Sequence, residues 1–121
     1  MKVTRIAEIL NATVASGAEL VDTDIHSACG SDMMSDVLAY YKEQGVLLTG
    51  LVNPQVVRTA EMTDIRCIIF VRGKQPDEGL LKLAAERSIV VLCTKLDMYR
   101  ACGLLYSEGL GHEKGGVKPR A

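Results

Sequence analysis

One pattern recurs three times between residues 46 and 105 and constrains the fold more than any other feature of the chain. An apolar, β-rich run ends in a short polar turn, and an amphipathic helix pattern follows. The runs cover residues 46–52, 67–71 and 89–93. Their turns are Asn53-Pro54, Arg72-Gly73-Lys74-Gln75-Pro76-Asp77 and Thr94-Lys95-Leu96-Asp97. None of the runs alternates apolar with polar residues, which is the mark of strands covered on both faces. Such strands, separated by helical patterns, imply parallel pairing through right-handed crossovers. The expected fold is α/β, a three-layer sandwich with a small, mostly parallel sheet flanked by helices.

The helices announce themselves by caps and periodicity. Asn53-Pro54 places an N-cap before a proline at the first helical position. Val56, Val57 and Ala60 then face inward. Pro76-Asp77 opens a helix that turns Leu80, Leu83 and Ala84 inward. The last helix begins near Leu96, buries Met98, Ala101, Cys102 and Leu105, and stops at Gly109. Toward the N-terminus, Thr4 is the expected cap of a helix carrying Ile6, Ile9 and Leu10 on one face and ending at Asn11. Thr13-Val14-Ala15 forms a short strand stopped by Ser16-Gly17. Residues 19–28 are expected to be extended, with Asp22 and Asp24 in a turn. Ser31 is the expected cap of a helix whose stripe is Met34, Val37, Leu38 and Tyr41, stopped by Gly45.

At 121 residues the chain is expected to form a single domain over residues 1–110, with a flexible Gly- and Lys-rich tail at 111–121. A 48% hydrophobic content is enough for a packed core. The formal net charge of -1 leaves no electrostatic footprint for nucleic acid or an anionic membrane. Four Tyr, one Phe and no Trp make poor base-stacking platforms. No apolar run approaches the roughly 20 residues that span a bilayer, and the N-terminus has no signal-peptide core. The expected setting is cytoplasmic.

Enzyme signatures are missing. The sequence contains no P-loop, no strand-following G-x-G-x-x-G and no G-x-S-x-G elbow. Cys29, Cys67, Cys93 and Cys102 show no C-x-x-C spacing. Cys67, Cys93 and Cys102 are expected to be reduced core residues. Cys29 is the thiol expected to be accessible, in a loop, with Asp32 raising its pKa. His26 with Asp22, Asp24 and Cys29 is better read as a solvated loop than as a metal site. No catalytic residue, metal or cofactor is assigned.

Where parallel strands end together, polar residues distant in sequence converge. Here that rim would hold Thr49, Asn53, Arg72, Lys74, Thr94 and Lys95. The helix N-terminus after Asn53 offers backbone N–H groups, and Arg72, Lys74 and Lys95 add positive charge. These six residues are the candidate ligand-binding set, for a small anion such as a nucleotide phosphate or a carboxylate.

Several segments resemble the DRTGG domain family. They are Ser31-Asp32-Met33-Met34-Ser35-Asp36-Val37-Leu38-Ala39, Val46-Leu47-Leu48-Thr49-Gly50, Ile68-Ile69-Phe70-Val71-Arg72-Gly73-Lys74 and Leu92-Cys93-Thr94-Lys95. The similarity runs from about residue 13 to residue 110. The name-giving motif is degenerate, because the stretch at 22–28 keeps its leading Asp22 and lacks the arginine and both glycines. The resemblance implies an α/β fold like the N-terminal domain of HPr kinase/phosphorylase, no catalytic activity of its own, and a part in dimerisation and regulation. The leading expectation is therefore a non-catalytic regulatory or assembly module that homodimerises and binds a small anionic ligand or a protein partner. An adenine-nucleotide sensor is the alternative. A thiol-dependent or phosphotransfer enzyme ranks last.

Overall fold

In the computed structural model, which describes residues 1–40 and 44–111, the three apolar runs form the inner strands of a five-stranded sheet. In chain order the elements are α1 (Val3–Leu10), β1 (Thr13–Ser16), β2 (Ser27–Gly30), α2 (Met34–Tyr40), β3 (Gly45–Thr49), α3 (Pro54–Met62), β4 (Ile65–Phe70), α4 (Glu78–Glu86), β5 (Val90–Cys93) and α5 (Met98–Ser107). The strand order is β1-β5-β4-β3-β2. The pairs β2–β3, β3–β4 and β4–β5 are parallel, and β1 joins β5 antiparallel at the edge. The α/β sandwich expected from the sequence is the fold observed.

Side chains alternate between two cores. Leu47, Ile68, Phe70 and Val91 point to one face, where they meet Val56, Val57, Ala60, Leu80 and Ala84 of α3 and α4 and Met34 and Val37 of α2. Val46, Leu48, Cys67, Ile69, Val90 and Leu92 point to the other, where they meet Ile6 and Leu10 of α1 and Ala101 and Leu105 of α5. Both faces being apolar explains why the strands show no polar alternation.

The crossovers β2-α2-β3-α3-β4-α4-β5 step across the sheet in one direction. Right-handed connections then put α2, α3 and α4 on the same face. That leaves the opposite face to α1 and α5. The chain must therefore change faces after β5, so the α4 and α5 connections diverge at the neighbouring ends of β4 and β5.

Several local expectations are revised. The strand Ser27–Gly30 was hidden in a segment with weak apolar character, because it is an edge strand whose residues are half-buried or exposed. Before it lies a 3-10 turn, Ala18–Leu20, where extended chain was expected. Thr4 does not cap α1. The helix starts one residue before it, and its first amides donate to the backbone instead, Val3 to Thr23 and Thr4 to Val21. The Thr4 hydroxyl also donates to the Val21 carbonyl, at 3.0 Å. Ser31 accepts from the Met33 N–H in a local turn just ahead of α2. Gly45 begins β3 and is not a helix stop. Tyr41 and the tail from His112 onward lie outside the described residues. Asn53 caps α3 as expected, and Asp77 and Asp97 likewise cap α4 and α5, each accepting a backbone N–H in the first turn.

Phe70 is fully buried at the carboxyl end of the central strand β4. Truncating it leaves a cavity that rigid sheet neighbours cannot fill. Phe70→Ala should lower unfolding stability by about 3–5 kcal/mol, measured by urea denaturation followed by far-UV circular dichroism.

Candidate functional site

The four parallel strands finish on one edge of the sheet, and their exit loops are tied together. The loop leaving β2 carries Asp32. Its Oδ1 accepts from the Gly50 N–H at 2.7 Å and from the Thr49 hydroxyl at 3.0 Å. Thr49 is fully buried, and its Oγ1 also accepts from the Leu51 N–H. The guanidinium of Arg72 packs against Gly50, where a Cβ would otherwise stand. Arg72 thus lies across the end of β3 although its backbone belongs to the loop after β4.

That loop bends sharply. Arg72 has φ 60° and Gly73 φ 71°, two successive left-handed residues. For arginine this conformation costs roughly 1–2 kcal/mol. Two backbone hydrogen bonds to the next loop oppose that cost. Arg72 N–H donates to the Leu96 carbonyl at 2.7 Å, and Gly73 N–H to the Thr94 carbonyl at 2.9 Å. Thr94 completes the chain of contacts. Its buried hydroxyl donates to the Leu10 carbonyl of α1 at 2.9 Å and accepts from the Leu96 N–H.

The electrostatics centre on Asp32. The Gly50 backbone N–H holds its carboxyl below the ordinary carboxylate range, with slight burial opposing this; the Thr49 hydroxyl and the charges of Arg72 and Lys74 add to the lowering. Asp32 is therefore ionised at neutral pH and offsets part of the positive charge on this side of the rim.

The six expected rim residues do not form one ring. Thr49 and Thr94 are buried and engaged in holding loops. Asn53 is occupied as the cap of α3, its Oδ1 accepting from Gln55 at 2.8 Å. The free N–H groups expected at that helix start are not available. Pro54 has none, Gln55 serves the cap, and Val56 donates to the Asn53 carbonyl. Arg72, Lys74 and Lys95 are exposed at the strand ends, with no ion-pair partner among the described residues. Arg72 and Lys74 lie on the Asp32 side. Lys95 lies on the other, with Thr94.

Between the β4 and β5 ends, where the α4 and α5 connections part, the surface opens into a crevice of about 560 Å³. It is lined by Gly73 and Gln75 from the loop after β4, by Cys93, Thr94, Lys95 and Leu96 at the end of β5, by Leu104 of α5, and by Ile9, Leu10, Asn11 and Thr13 at the end of α1 and start of β1. Divergence of neighbouring connections to opposite faces is the topological condition for a ligand crevice in an open α/β sheet. Sequence reasoning placed Thr94 and Lys95 here but missed Asn11 and Gln75. Nothing in the sequence places the end of α1 against the β5 loop.

Asp32 was also missed as a rim residue. Its signal was present, since it sits in the segment 31–39 that resembles the family. The accessible loop thiol expected at Cys29 is corrected. Cys29 lies on β2, half-buried against the core, and burial followed by the nearby Asp36 pushes its thiol pKa up. Burial also raises Cys67, Cys93 and Cys102, and all four cysteines are free. His26 donates its backbone N–H to the Gln44 carbonyl, so its segment runs alongside the start of β3. Along extended chain an odd separation sends side chains to opposite faces, which parts His26 from Cys29. Among the described residues no cluster of three or more His, Cys, Asp or Glu could hold a metal ion, and no helix is long and apolar enough to cross a membrane.

The family model of the DRTGG domain matches residues 5–107. The fold is similar to the crystal structure of the CBS and DRTGG domains from the regulatory region of a Clostridium perfringens pyrophosphatase, complexed with its activator diadenosine tetraphosphate. The TM-score is 0.69 at 17% sequence identity, over 86% of this chain and 45% of that one. This chain thus spans less than half of the protein it overlays. No curated protein sequence matches it.

The lowered pKa of Asp32 has a stability consequence. A depressed folded-state pKa contributes stability above the unfolded value of about 3.8 and loses it as pH falls through the folded value. Wild type should therefore exceed Asp32→Asn in urea midpoint near neutral pH, and the gap should close as the pH is taken well below that of an ordinary carboxylate. A gap that persists unchanged in acid would mean the charge of Asp32 is not what holds Gly50.

Proposed function

The chain belongs to the DRTGG domain family, and from that premise we propose that it is a non-catalytic regulatory module that binds a small anionic ligand at the carboxyl ends of its strands. The observation that carries this reading is the crevice at the β4 and β5 ends, with Lys95 in its wall and Arg72 and Lys74 exposed farther along the same strand-end edge. A cation without a protein partner, beside a concave surface, is free to meet an anion at little desolvation cost. Thr49, Asn53 and Thr94 shape the rim by holding its loops, and the three cations supply the charge. The buried-thiol character of Cys29 favours a binding role over a thiol-dependent reaction, because little thiolate forms near neutral pH.

An adenine nucleotide is the ligand this reading favours. The similarly folded pyrophosphatase regulatory region was solved with diadenosine tetraphosphate, a ligand with anionic phosphates and adenine rings. Four free thiols suit a reducing, cytoplasmic setting.

A second element of the reading is homodimerisation. The stripe of α2 is largely spent inside the domain, since Met34 and Val37 are buried in the core. Tyr99 and Tyr106, seven residues apart on α5, take its place as apolar surface at 86% and 50% exposure. A protein partner could use the same helix face.

Thermal-shift measurements with AMP, ADP and ATP test the ligand reading. At 100 times its dissociation constant, a true ligand should stabilise the protein by about 2.7 kcal/mol. The double variant Arg72→Ala/Lys95→Ala should lose that stabilisation, and a variant that responds like wild type would remove the rim from the account. For assembly, sedimentation velocity should show a dimer at micromolar concentration that Tyr99→Glu converts to monomer; a wild-type monomer would end the dimer reading.

A further inference from the structure

The crevice has two kinds of wall, and their arrangement narrows the ligand further. Ile9, Leu96 and Leu104 bring aliphatic surface from α1, the loop after β5 and α5. Asn11, at the end of α1, and Gln75, in the loop after β4, are exposed residues of the lining, and no described residue hydrogen-bonds either side-chain amide. Lys95 brings a cation at the mouth. A volume of about 560 Å³ falls in the range of small-molecule sites.

Each component has a matching ligand group. Aliphatic walls accept a flat heteroaromatic ring. A carboxamide presents a donor and an acceptor side by side, which complements the paired acceptor and donor on the N7 and N6 edge of adenine. Guanine offers two acceptors on that edge and leaves the amide oxygen unpaired, which disfavours it. The lysine meets a phosphate as a point charge.

The other half of the rim is unsuited to the same task. The Gly50 N–H and the Thr49 hydroxyl are already taken by Asp32. An anion arriving there would meet a carboxylate held ionised.

Building on the nucleotide reading above, we infer that the β4/β5 crevice is an adenine mononucleotide site in which Asn11 and Gln75 read the base and Lys95 holds the phosphate. Asn11 also sits in the left-handed conformation that closes α1, with φ 50°. Asparagine tolerates that backbone, so a single residue both ends the helix and lines the crevice.

The test is titration of AMP and GMP by isothermal calorimetry against wild type, Asn11→Gly, Gln75→Ala, Lys95→Ala and Arg72→Ala. Glycine is chosen at position 11 because it keeps the left-handed backbone while removing the amide. Circular dichroism melts confirm that each variant folds. Wild type should bind AMP more tightly than GMP. Asn11→Gly and Gln75→Ala should each erase most of that preference, and Lys95→Ala should weaken both nucleotides by about tenfold or more. Tight AMP binding that survives in Asn11→Gly, Gln75→Ala and Lys95→Ala but is lost in Arg72→Ala would overturn the crevice assignment and leave the broader nucleotide reading intact. Absence of binding by wild type to either nucleotide would overturn both.

Discussion

The structure depends on burying both faces of one parallel sheet. Strands β3, β4 and β5 carry no polar side chain except Arg66 and the closing Thr49, and two separate helix layers keep them from water. Three of the five helices are committed to one face by the handedness of their crossovers. The other face would remain exposed unless the chain crossed over. It does so after β5 with α5, while α1 covers the remaining part of the same face. Hydrophobic burial therefore dictates where two neighbouring connections diverge, and the crevice lies at that divergence. The candidate site is a by-product of covering the second face.

The strand ends also hold one another. Asp32 bridges to Gly50 and Thr49, Arg72 lies over Gly50, the Arg72 backbone is held by Leu96, and Thr94 reaches α1 at Leu10. Four successive loops are linked without a single buried ion pair. Polar groups in this row serve each other first, which is why only the three long cations remain for a ligand. The ion pairs recorded elsewhere, such as Arg5 with Glu108 and Arg87 with Glu61, are exposed and contribute little each. Stability comes from the two cores, and the loop contacts mainly fix geometry.

The legibility of each element in the sequence follows from how local its cause is. Asn53 was visible as a cap, and Pro76-Asp77 as a helix opening, because a cap bonds within its own first turn. Strand β2 was not visible, because an edge strand needs few apolar residues and takes its structure from pairing with β3. Thr4 resembled a cap, yet α1 starts before it, and the Val3 and Thr4 amides at that start are bonded to the distant Thr23 and Val21 carbonyls. Cys29 resembled a loop thiol for the same reason that β2 was missed. In the rim, Arg72, Lys74 and Lys95 were legible because any polar residue after a parallel strand must reach that edge. Asp32, Asn11 and Gln75 were not placed there, since their positions depend on which loops touch.

By itself the sequence determined the α/β class, the three inner strands, the helices between them and the edge of the sheet where function would collect. Those follow from hydrophobic period and capping, which act over a few residues. The tertiary structure alone decided the strand order, the antiparallel seat of β1, the division of the rim by Asp32 and the meeting of Asn11, Gln75 and Lys95 around one crevice. Each of these joins segments far apart in the chain. Their contacts are chosen by the packing of whole layers, and no local pattern encodes such a choice.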